Sequence, residues 1–187
     1  MYRNVYSEFE VKQMCIKFDG ENEQFEDMSC VGSSEEDLEV KVITKKCRGV
    51  VQREKIKGTG NGKLSLSLHV PYDIYNKIYA MNRANLVEGV KAYGQGSRHP
   101  EFALTQLVED EDGEIKYKAY PRCTMETGPK RPVENGQEEV PELSMEVKLL
   151  PDDNGECMYE ALAERLDDEI AEKWMKEFEP SLVQVKA

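Results

Sequence analysis

Residues 101–120 read EFALTQLVEDEDGEIKYKAY, and this stretch decides the fold. Its first half places Phe102, Leu104 and Val108 at positions of one parity, which predicts a strand that buries at least one face. The acidic run that follows contains an Asp-Gly pair, and these residue types tolerate the positive φ of a tight hairpin turn. A second alternating strand then returns. We expect it to end at Pro121, because proline has no N–H for the ladder.

Segments on both sides of this hairpin add strands of the same kind. Residues 64–70 and 143–149 alternate apolar and polar side chains, as antiparallel strands with one buried face do. Residues 38–42 begin another strand, and residues 47–57 can return as its partner. Residues 7–18 are predicted to form the first strand, and a slip in their alternation indicates a β-bulge or a bend.

Two segments show the spacing of helices instead. Residues 71–81 start with a proline and are predicted to form a short helix that covers one face of the sheet. Its covering side chains are Tyr72, Ile74, Tyr75, Ile78 and Tyr79. Residues 155–179 repeat apolar residues at every fourth position opposite an acidic face, which predicts an amphipathic helix, or two helices joined near Asp167 and Asp168.

These elements define the expected fold class. It is mainly β (α+β), an antiparallel β-sandwich or half-barrel with a short covering helix and a C-terminal amphipathic helix. The length of 187 residues fits a single domain with a sizeable core, and 33% charged residues indicate a heavily solvated exterior. The five cysteines are scattered and odd in number, so we interpret them as reduced, mostly packed thiols.

The sequence also bears on location. No stretch approaches the ~20 apolar residues of a membrane span, and residues 1–18 lack the apolar centre of an export signal. We therefore expect synthesis in the cytoplasm and no membrane partner.

The net charge of −12 is distributed in blocks of opposite sign. Residues 18–40 contain nine acids and no base, whereas residues 41–63 contain eight bases and one acid. Residues 152–179 are acidic again, with eleven acids and three bases. Each block can be a solvated face. Alternating blocks also favour self-assembly, because a patch of one sign can meet the other sign on a second copy.

A single domain spanning 1–187 accommodates these blocks. Within it we distinguish an acidic N-terminal arm or loop (1–37), a basic hairpin arm (41–62) and a C-terminal helical segment (155–179). The predicted assembly interface joins the bases of the hairpin to acids that precede it. Its members are Lys41, Lys45, Lys46, Arg48, Arg53, Lys55, Lys57, Glu35, Glu36 and Asp37.

The sequence provides no convergent set of catalytic groups. Cys123 and His99 are the only nucleophile and base that we consider, and no local motif supports them, so we expect no enzymatic activity and no cofactor. The acidic runs lack the ligand spacing of a calcium loop, so no metal site is predicted. The glycine-rich segment 57–63 precedes a strand where a phosphate-binding P-loop needs a helix, and we interpret it as a turn.

Nucleic-acid binding is a further alternative for the basic segment 41–63. The segment has no aromatic residue to stack on bases, and the acidic molecule as a whole repels a polyanion. Such repulsion suits a surface past which DNA slides without sticking.

Several short matches carry a resemblance to a known family. They are GKLSLSLHVP at 62–71, LVEGVKAYG at 86–94, PEFALT at 100–105, AYPRC at 119–123, MYEAL at 158–162 and EKWM at 172–175. In these segments and their order, residues 38–180 resemble tail tube (major tail) proteins of phages and prophages of Gram-positive bacteria. The long acidic helix near the C-terminus is a departure from that family.

The resemblance implies a structural virion protein, made in the cytoplasm of the host bacterium and located in the phage tail. Subunits of this family form hexameric rings that stack into a hollow tube, and DNA leaves the capsid through its lumen. The implied partners are further copies of the chain and other tail proteins, such as the tape measure and the tail terminator. DNA is implied to pass through the lumen without specific binding.

Two hypotheses follow from this resemblance. The basic hairpin arm (41–62) reaches a neighbouring subunit or ring, and acids at 109–114 or 134–142 make the lumen negative. An alternative is another ring-forming tail component, such as a tail terminator or a head–tail connector, which forms a single ring. A soluble binding module and an enzyme that uses Cys123 or His99 are more distant alternatives.

Overall fold

The structure is a computed structural model that describes residues 6–20, 23–136 and 138–185. Its strands are β1 (Glu10–Phe18), β2 (Glu26–Asp27), β3 (Val31–Cys47), β4 (Val50–Leu68), β5 (Phe102–Glu109), β6 (Ile115–Met125), β7 (Leu143–Leu149) and β8 (Tyr159–Leu162). The α-helices are α1 (Tyr72–Ile78) and α2 (Asp168–Glu177), and 3-10 helices occupy Ala163–Arg165 and Pro180–Val183.

The eight strands of the described residues form one antiparallel sheet that does not close. Their order is β2-β1-β5-β6-β7-β4-β3, and β8 pairs with β6 beside this path. The predicted fold class is confirmed, since this mainly β architecture with short helices agrees with a β-sandwich or half-barrel.

The hairpin of β5 and β6 forms as its alternation predicts. Phe102 and Leu104 are buried, and the turn between the strands contains Gly113 at φ 87°. β1 pairs with the other edge of β5, and their register shifts between Val11 and Gln13. The bulge predicted in the first strand is therefore confirmed.

The prediction that β6 ends at Pro121 is wrong. The strand continues to Met125 and changes partners near the proline: residues 116–119 pair with β8, whereas residues 123–125 pair with β7. Pro121 lies between these two sets of paired residues, so its missing N–H interrupts neither ladder. β6 can contain a proline at this position because its neighbour in the sheet changes there from β8 to β7.

The prediction of a turn at 57–63 is also wrong, because this segment lies inside the 19-residue strand β4. Gly60 has φ 78°, and the register with β3 shifts between Leu38 and Val40. A Cβ added at Gly62 would lie 2.8 Å from Cδ2 of Leu38. The glycines thus permit an irregular register and a close strand contact, and the chain does not reverse.

The segment predicted as an acidic N-terminal arm or loop (1–37) contains strands. β3 already begins at Val31, and the short strand β2 pairs with β1. β1 itself lies inside the sheet between β2 and β5, so the described part of 1–37 is not an arm. Glu21 and Asn22 lie outside the described residues. Acids are tolerated in β3 because only one face of an antiparallel strand needs to be buried.

A large core cluster joins the sheet to α1. β4 contributes Leu64, Leu66 and Leu68, which are buried as their alternation predicts. The covering helix predicted at 71–81 corresponds to α1, and its buried members are Ile74, Tyr75, Ile78 and Tyr79. Tyr72 is 59% exposed, so this predicted covering residue does not cover the sheet.

The C-terminal segment is not helical from 155 to 179. Residues 159–162 form β8 on the edge of β6, and α2 begins only after its N-cap Asp167, whose carboxylate accepts a hydrogen bond from the N–H of Glu169. α2 places Trp174 in a second core cluster, where its indole Nε1 donates to the carbonyl oxygen of Lys118 at 3.1 Å. The apolar spacing suggested one helix, but pairing with β6 overrides it in the first half.

Candidate assembly surface

Strands β3 and β4 extend past the rest of the sheet as a two-stranded hairpin. Every residue from 39 to 59 is exposed, and in this part of the described chain the two strands pair only with each other. Both outer edges of the hairpin therefore present unpaired backbone groups to solvent. We call residues 39–59 the arm and the other described residues the body. The arm contains most of the segment predicted as a basic hairpin arm.

The tip of the arm is a tight turn at Arg48 and Gly49, whose φ angles are 51° and 80°. Positive φ at both central residues is the geometry of a type I′ turn, which matches the twist of a hairpin. Cys47 and Val50 pair across the turn. The turn thereby sets the register along the arm, and the register decides which side chains share a face.

One face of the arm is aliphatic. β3 alternates regularly here, and Val42 pairs with Ile56. Cross-strand partners lie on the same face, so Val40, Val42 and Ile56 lie together. The register shifts by one residue beyond Lys45, and Val51 then pairs with Lys46 and joins this face. We define Val40, Val42, Val51 and Ile56 as the aliphatic face; Thr44, Glu54 and Lys46 lie on the same side of the arm.

The opposite face is basic. Lys41 pairs with Lys57, Ile43 with Lys55, and Lys45 with Arg53. We define the cations of these pairs as the basic face: Lys41, Lys45, Arg53, Lys55 and Lys57. Burial against an apolar surface would stabilise the aliphatic face, whereas contact with negative charge would stabilise the basic face.

The aliphatic face continues the core-facing side of β3. Nearer the core, Ser34 Oγ accepts a hydrogen bond from Gln106 Nε2 at 2.8 Å. Glu36 Oε2 accepts one from the hydroxyl of Tyr120, also at 2.8 Å. Val40 and Val42 follow at the same parity along the strand. The core-facing side of β3 therefore extends beyond the body, and there no described residue covers it.

The arm and the rest of the chain carry opposite charge. Residues 39–59 contain seven bases and two acids, a net charge of +5. Because the whole chain carries −12, the remaining residues carry −17.

An ion network fixes β3 to the body where the arm begins. Nζ of Lys118 lies 2.8 Å from Glu8 Oε1 and 3.0 Å from Glu36 Oε1, and the Lys118 side chain is only 4% exposed. Burial favours the neutral amine, but hydrogen bonds to the two carboxylates outweigh it and raise the pKa of Lys118. Burial and the nearby Glu36 raise the pKa of Tyr120 well above its ordinary value. The network therefore keeps Lys118 charged and Tyr120 neutral at neutral pH.

The ten predicted interface residues do not share one surface. The basic face contains five of them, while Lys46 lies on the aliphatic face and Arg48 at the tip. Glu35 and Asp37 are exposed on β3 beside the arm. The carboxylate of Glu36 binds Lys118 and Tyr120 of its own chain.

Cys123 and His99, the candidate catalytic pair, form hydrogen bonds with other groups. Cys123 is completely buried, and burial raises the pKa of its thiol, so the reactive thiolate is disfavoured. His99 uses both ring nitrogens elsewhere: Nδ1 lies 3.2 Å from the carbonyl oxygen of Met125, and Nε2 lies 3.1 Å from the hydroxyl of Tyr93. These contacts hold the loop that precedes β5, which is a structural role.

The described residues also bear on metal binding and on membrane spanning. Among the described residues, no group of three or more His, Cys, Asp or Glu side chains is placed to hold a metal ion. None of the helices in the described ranges is long and apolar enough to cross a membrane.

Sequence reasoning found the basic residues but missed the two faces and the ion network. The parity of Val40 and Val42 was a usable signal for an aliphatic face. The position of Ile56 on that face depends on the register, which the sequence does not reveal. Lys118 and Glu36 are 82 positions apart, so no local pattern links them.

No protein-family model matches this chain, and no curated protein sequence matches it significantly.

Proposed function

We propose that this chain is a structural virion protein, a ring-forming subunit that stacks into the hollow tail tube through which a phage ejects its DNA. The observation that carries the proposal is the arm, an exposed hairpin with one aliphatic and one basic face on an acidic body. The resemblance to tail tube proteins supplies the kind of assembly, and the arm supplies a physical reason for assembly.

The exposure of the aliphatic face indicates that another surface covers the arm in the functional state. Val40 is 61% exposed and Ile56 is 64% exposed, and Val42 and Val51 beside them are also exposed. Exposed aliphatic side chains that share one face favour an interaction site. A two-stranded hairpin alone is also only marginally stable in water, so docking against a second surface stabilises it.

The charge distribution favours a second copy of the chain as the partner. The arm carries +5 and the remaining residues carry −17, so each copy brings both members of an attractive pair. A contact between two different surfaces of identical subunits is heterologous. Such contacts repeat, and they close into rings or continue as stacks.

The acidic excess also suits the passage of DNA. Glu111 and Asp112 are exposed in the turn between β5 and β6, and they are candidates for the wall of the lumen. A negative wall repels the phosphate backbone and so avoids the contacts that retain a polyanion. A neutral or basic lumen in a reconstruction of the assembled protein would contradict this part of the proposal.

The direct test is whether the purified full chain assembles. We expect a concentrated solution to sediment as large particles and to appear in electron micrographs as tubes of variable length. A variant with Lys45→Glu, Arg53→Glu and Lys57→Glu should remain monomeric, because its basic face has lost its positive charge. Its circular dichroism spectrum should match that of the wild-type chain.

A matched control makes the same change of charge away from the arm. Arg98→Glu, Lys148→Glu and Lys176→Glu alter exposed positions of the body, and this variant should assemble like the wild-type chain. A wild-type chain that stays monomeric at every concentration would refute the proposal. Isolated rings without tubes would instead favour a tail terminator or a head–tail connector.

The basic face also supports a second candidate, a nucleic-acid-binding module. Five cations on one side of a β-ribbon can follow a phosphate backbone, although the acidic body opposes the approach. A gel shift at moderate salt tests it. A complex that weakens steeply with salt, and that the arm variant fails to form, would favour this candidate over the tube subunit.

A further inference from the structure

We propose that residues 6–9 are a latch that sets the direction of the arm, because they hold the ammonium group of Lys118 where it binds Glu36 of β3. We call residues 6–9 the latch. By fixing the arm, the latch prepares it for contact with a second copy. This consequence for assembly rests on the proposed function, whereas the direction of the arm is a property of the single chain.

The latch is attached to the hairpin of β5 and β6. The hydroxyl of Tyr6 donates a hydrogen bond to the carbonyl oxygen of Val108 at 3.0 Å. The backbone N–H of Phe9 donates one to the carbonyl oxygen of Glu109, also at 3.0 Å. Glu8 lies between these two attachments, so its carboxylate is held within reach of the side chains of β6.

Glu8 and Glu36 share one buried cation. Nζ of Lys118 lies 2.8 Å from Glu8 Oε1 and 3.0 Å from Glu36 Oε1, and its side chain is 4% exposed. A buried ammonium group needs an acceptor for each of its N–H groups, and Glu8 supplies one of them. Lys116 Nζ lies 3.3 Å from Glu8 Oε1, and this second cation offsets the repulsion between the two carboxylates. Without the carboxylate of Glu8, water would reach the ammonium group and weaken its pair with Glu36.

The pair with Glu36 matters to the arm because Glu36 lies three positions before it on β3. In the described part of the chain, β3 pairs through its backbone with β4 and with no other strand. Side chains therefore tie β3 to the rest of the body, and the Glu36 carboxylate does so through Lys118 and the hydroxyl of Tyr120. On the second strand of the arm, the pairing of β4 with β7 ends at Gly62 opposite Leu149. The direction of the arm thus depends on one backbone ladder and one group of side chains.

The length of the arm magnifies any movement at its base. The part of β3 within the arm, residues 39–47, spans about 30 Å at the rise of a strand. A rotation of about 20° at the base would displace the tip by about 10 Å. Binding a mobile arm costs free energy because the arm must first be ordered. A latched arm avoids this cost.

The test measures the direction of the arm in the full-length monomer with two spin labels. Cys47 is exposed next to the tip and accepts one label, and Lys176→Cys provides the second position on α2. Cys30→Ser removes the other exposed thiol, and the remaining cysteines are buried. Pulsed electron–electron double resonance gives the distribution of distances between the labels. Below the concentration of assembly, adding Glu8→Gln should broaden this distribution at least about twofold.

Glu10→Gln is the matched control. It makes the same chemical change two positions further along, where Glu10 pairs with the exposed Lys12 at 2.8 Å. This control should leave the distribution unchanged. Glu36→Gln should broaden it as Glu8→Gln does, and the double variant should be no broader than the single variants, because both carboxylates act through Lys118. Circular dichroism should show every variant folded, since both glutamates are partly exposed.

The inference is overturned by an unchanged distribution with Glu8→Gln, by equal broadening with Glu10→Gln, or by additive broadening in the double variant. In the assembly assay, Glu8→Gln should raise the concentration needed for assembly by about three- to tenfold, and Glu10→Gln should not. Broadening without a change in assembly would support the latch in the monomer and refute its effect on assembly. A wild-type chain that does not assemble would refute the proposed function, and the spin labels would still decide whether the latch sets the direction of the arm.

Discussion

The two halves of β4 share one strand and one partner, yet different forces hold them. From Gly62 to Leu68, side chains alternate between core and surface, and β7 supplies a second neighbour. From Val50 to Thr59, every residue is exposed and only β3 pairs with the strand. Burial of side chains therefore stabilises the body half, whereas the arm half is held only by its pairing with β3. One strand thus contributes one half to the core and the other half to an exposed hairpin.

The largest expected difference between the halves concerns core packing. Leu66→Ala removes a buried side chain and should lower the free energy of unfolding by about 2–5 kcal/mol. Ile56→Ala, on the same strand in the arm, should change it by less than about 0.5 kcal/mol and should weaken assembly instead. Urea denaturation of unassembled protein measures both variants. Equal losses in the two variants would show that the arm is not independent of a core.

A smaller difference is expected between lysines of the two regions. Lys118→Met leaves the half-buried carboxylate of Glu36 without its cation, and this should cost about 1.5–3 kcal/mol. Lys57→Met changes a lysine on the exposed basic face and should have no measurable effect on the unfolding of the monomer. Thermal unfolding of both variants at neutral pH distinguishes them. An unchanged stability of Lys118→Met would contradict the structural role of the network.

The glycines near the junction provide a finer comparison. A methyl group at Gly62 would meet Leu38 Cδ2 at 2.8 Å and the carbonyl oxygen of Asp37 at 3.0 Å, so Gly62→Ala should cost about 1 kcal/mol. Gly58 has no heavy atom within 4 Å of such a methyl group. Gly58→Ala should therefore leave stability unchanged or raise it by up to about 1 kcal/mol. In denaturant unfolding, the midpoint of Gly62→Ala should fall, whereas that of Gly58→Ala should stay the same or rise.

The smallest expected effect is a loss of stability at low pH, and it should arise from residues of the body. Burial opposes ionisation of Glu8, but hydrogen bonds from Lys118 and Lys116 prevail and lower its pKa below the ordinary 4.5. A carboxyl group whose pKa is lower in the folded state stabilises the protein above its unfolded pKa, and this contribution disappears as pH falls through the folded pKa. The free energy of unfolding should thus decline below about pH 4.5, and Glu8→Gln should flatten part of that decline. Denaturant titrations between about pH 3 and pH 6 measure it, and an identical pH dependence in both proteins would refute the assignment.

Much of the body could be predicted from the sequence because its side chains alternate. The hairpin of β5 and β6, the strand at Leu64–Leu68 and the covering helix all follow from local periodicity and turn residues. Pro121 and the glycine-rich segment were misinterpreted, because their effect depends on which strands lie beside them. The segment that became β8 was misinterpreted for the same reason, since its strand state depends on an edge of β6 distant in sequence.

The arm was only partly predictable. Its bases are visible in the sequence, but their placement on one face depends on the turn at Arg48 and Gly49 and on the register shift near Gln52. The ion network beneath the arm was not predictable, because Glu8, Glu36 and Lys118 come from three distant segments. Tertiary pairing decides these features, and local propensity does not.

The unpaired outer edges of the arm also bear on aggregation. Bare strand edges are templates on which other strands aggregate, so a chain with an exposed arm is at risk of aggregation. Lysines and arginines along the hairpin counter this risk, because two arms that approach side by side bring like charges together. The positive charge of the arm thus opposes irreversible pairing between the arms of different copies.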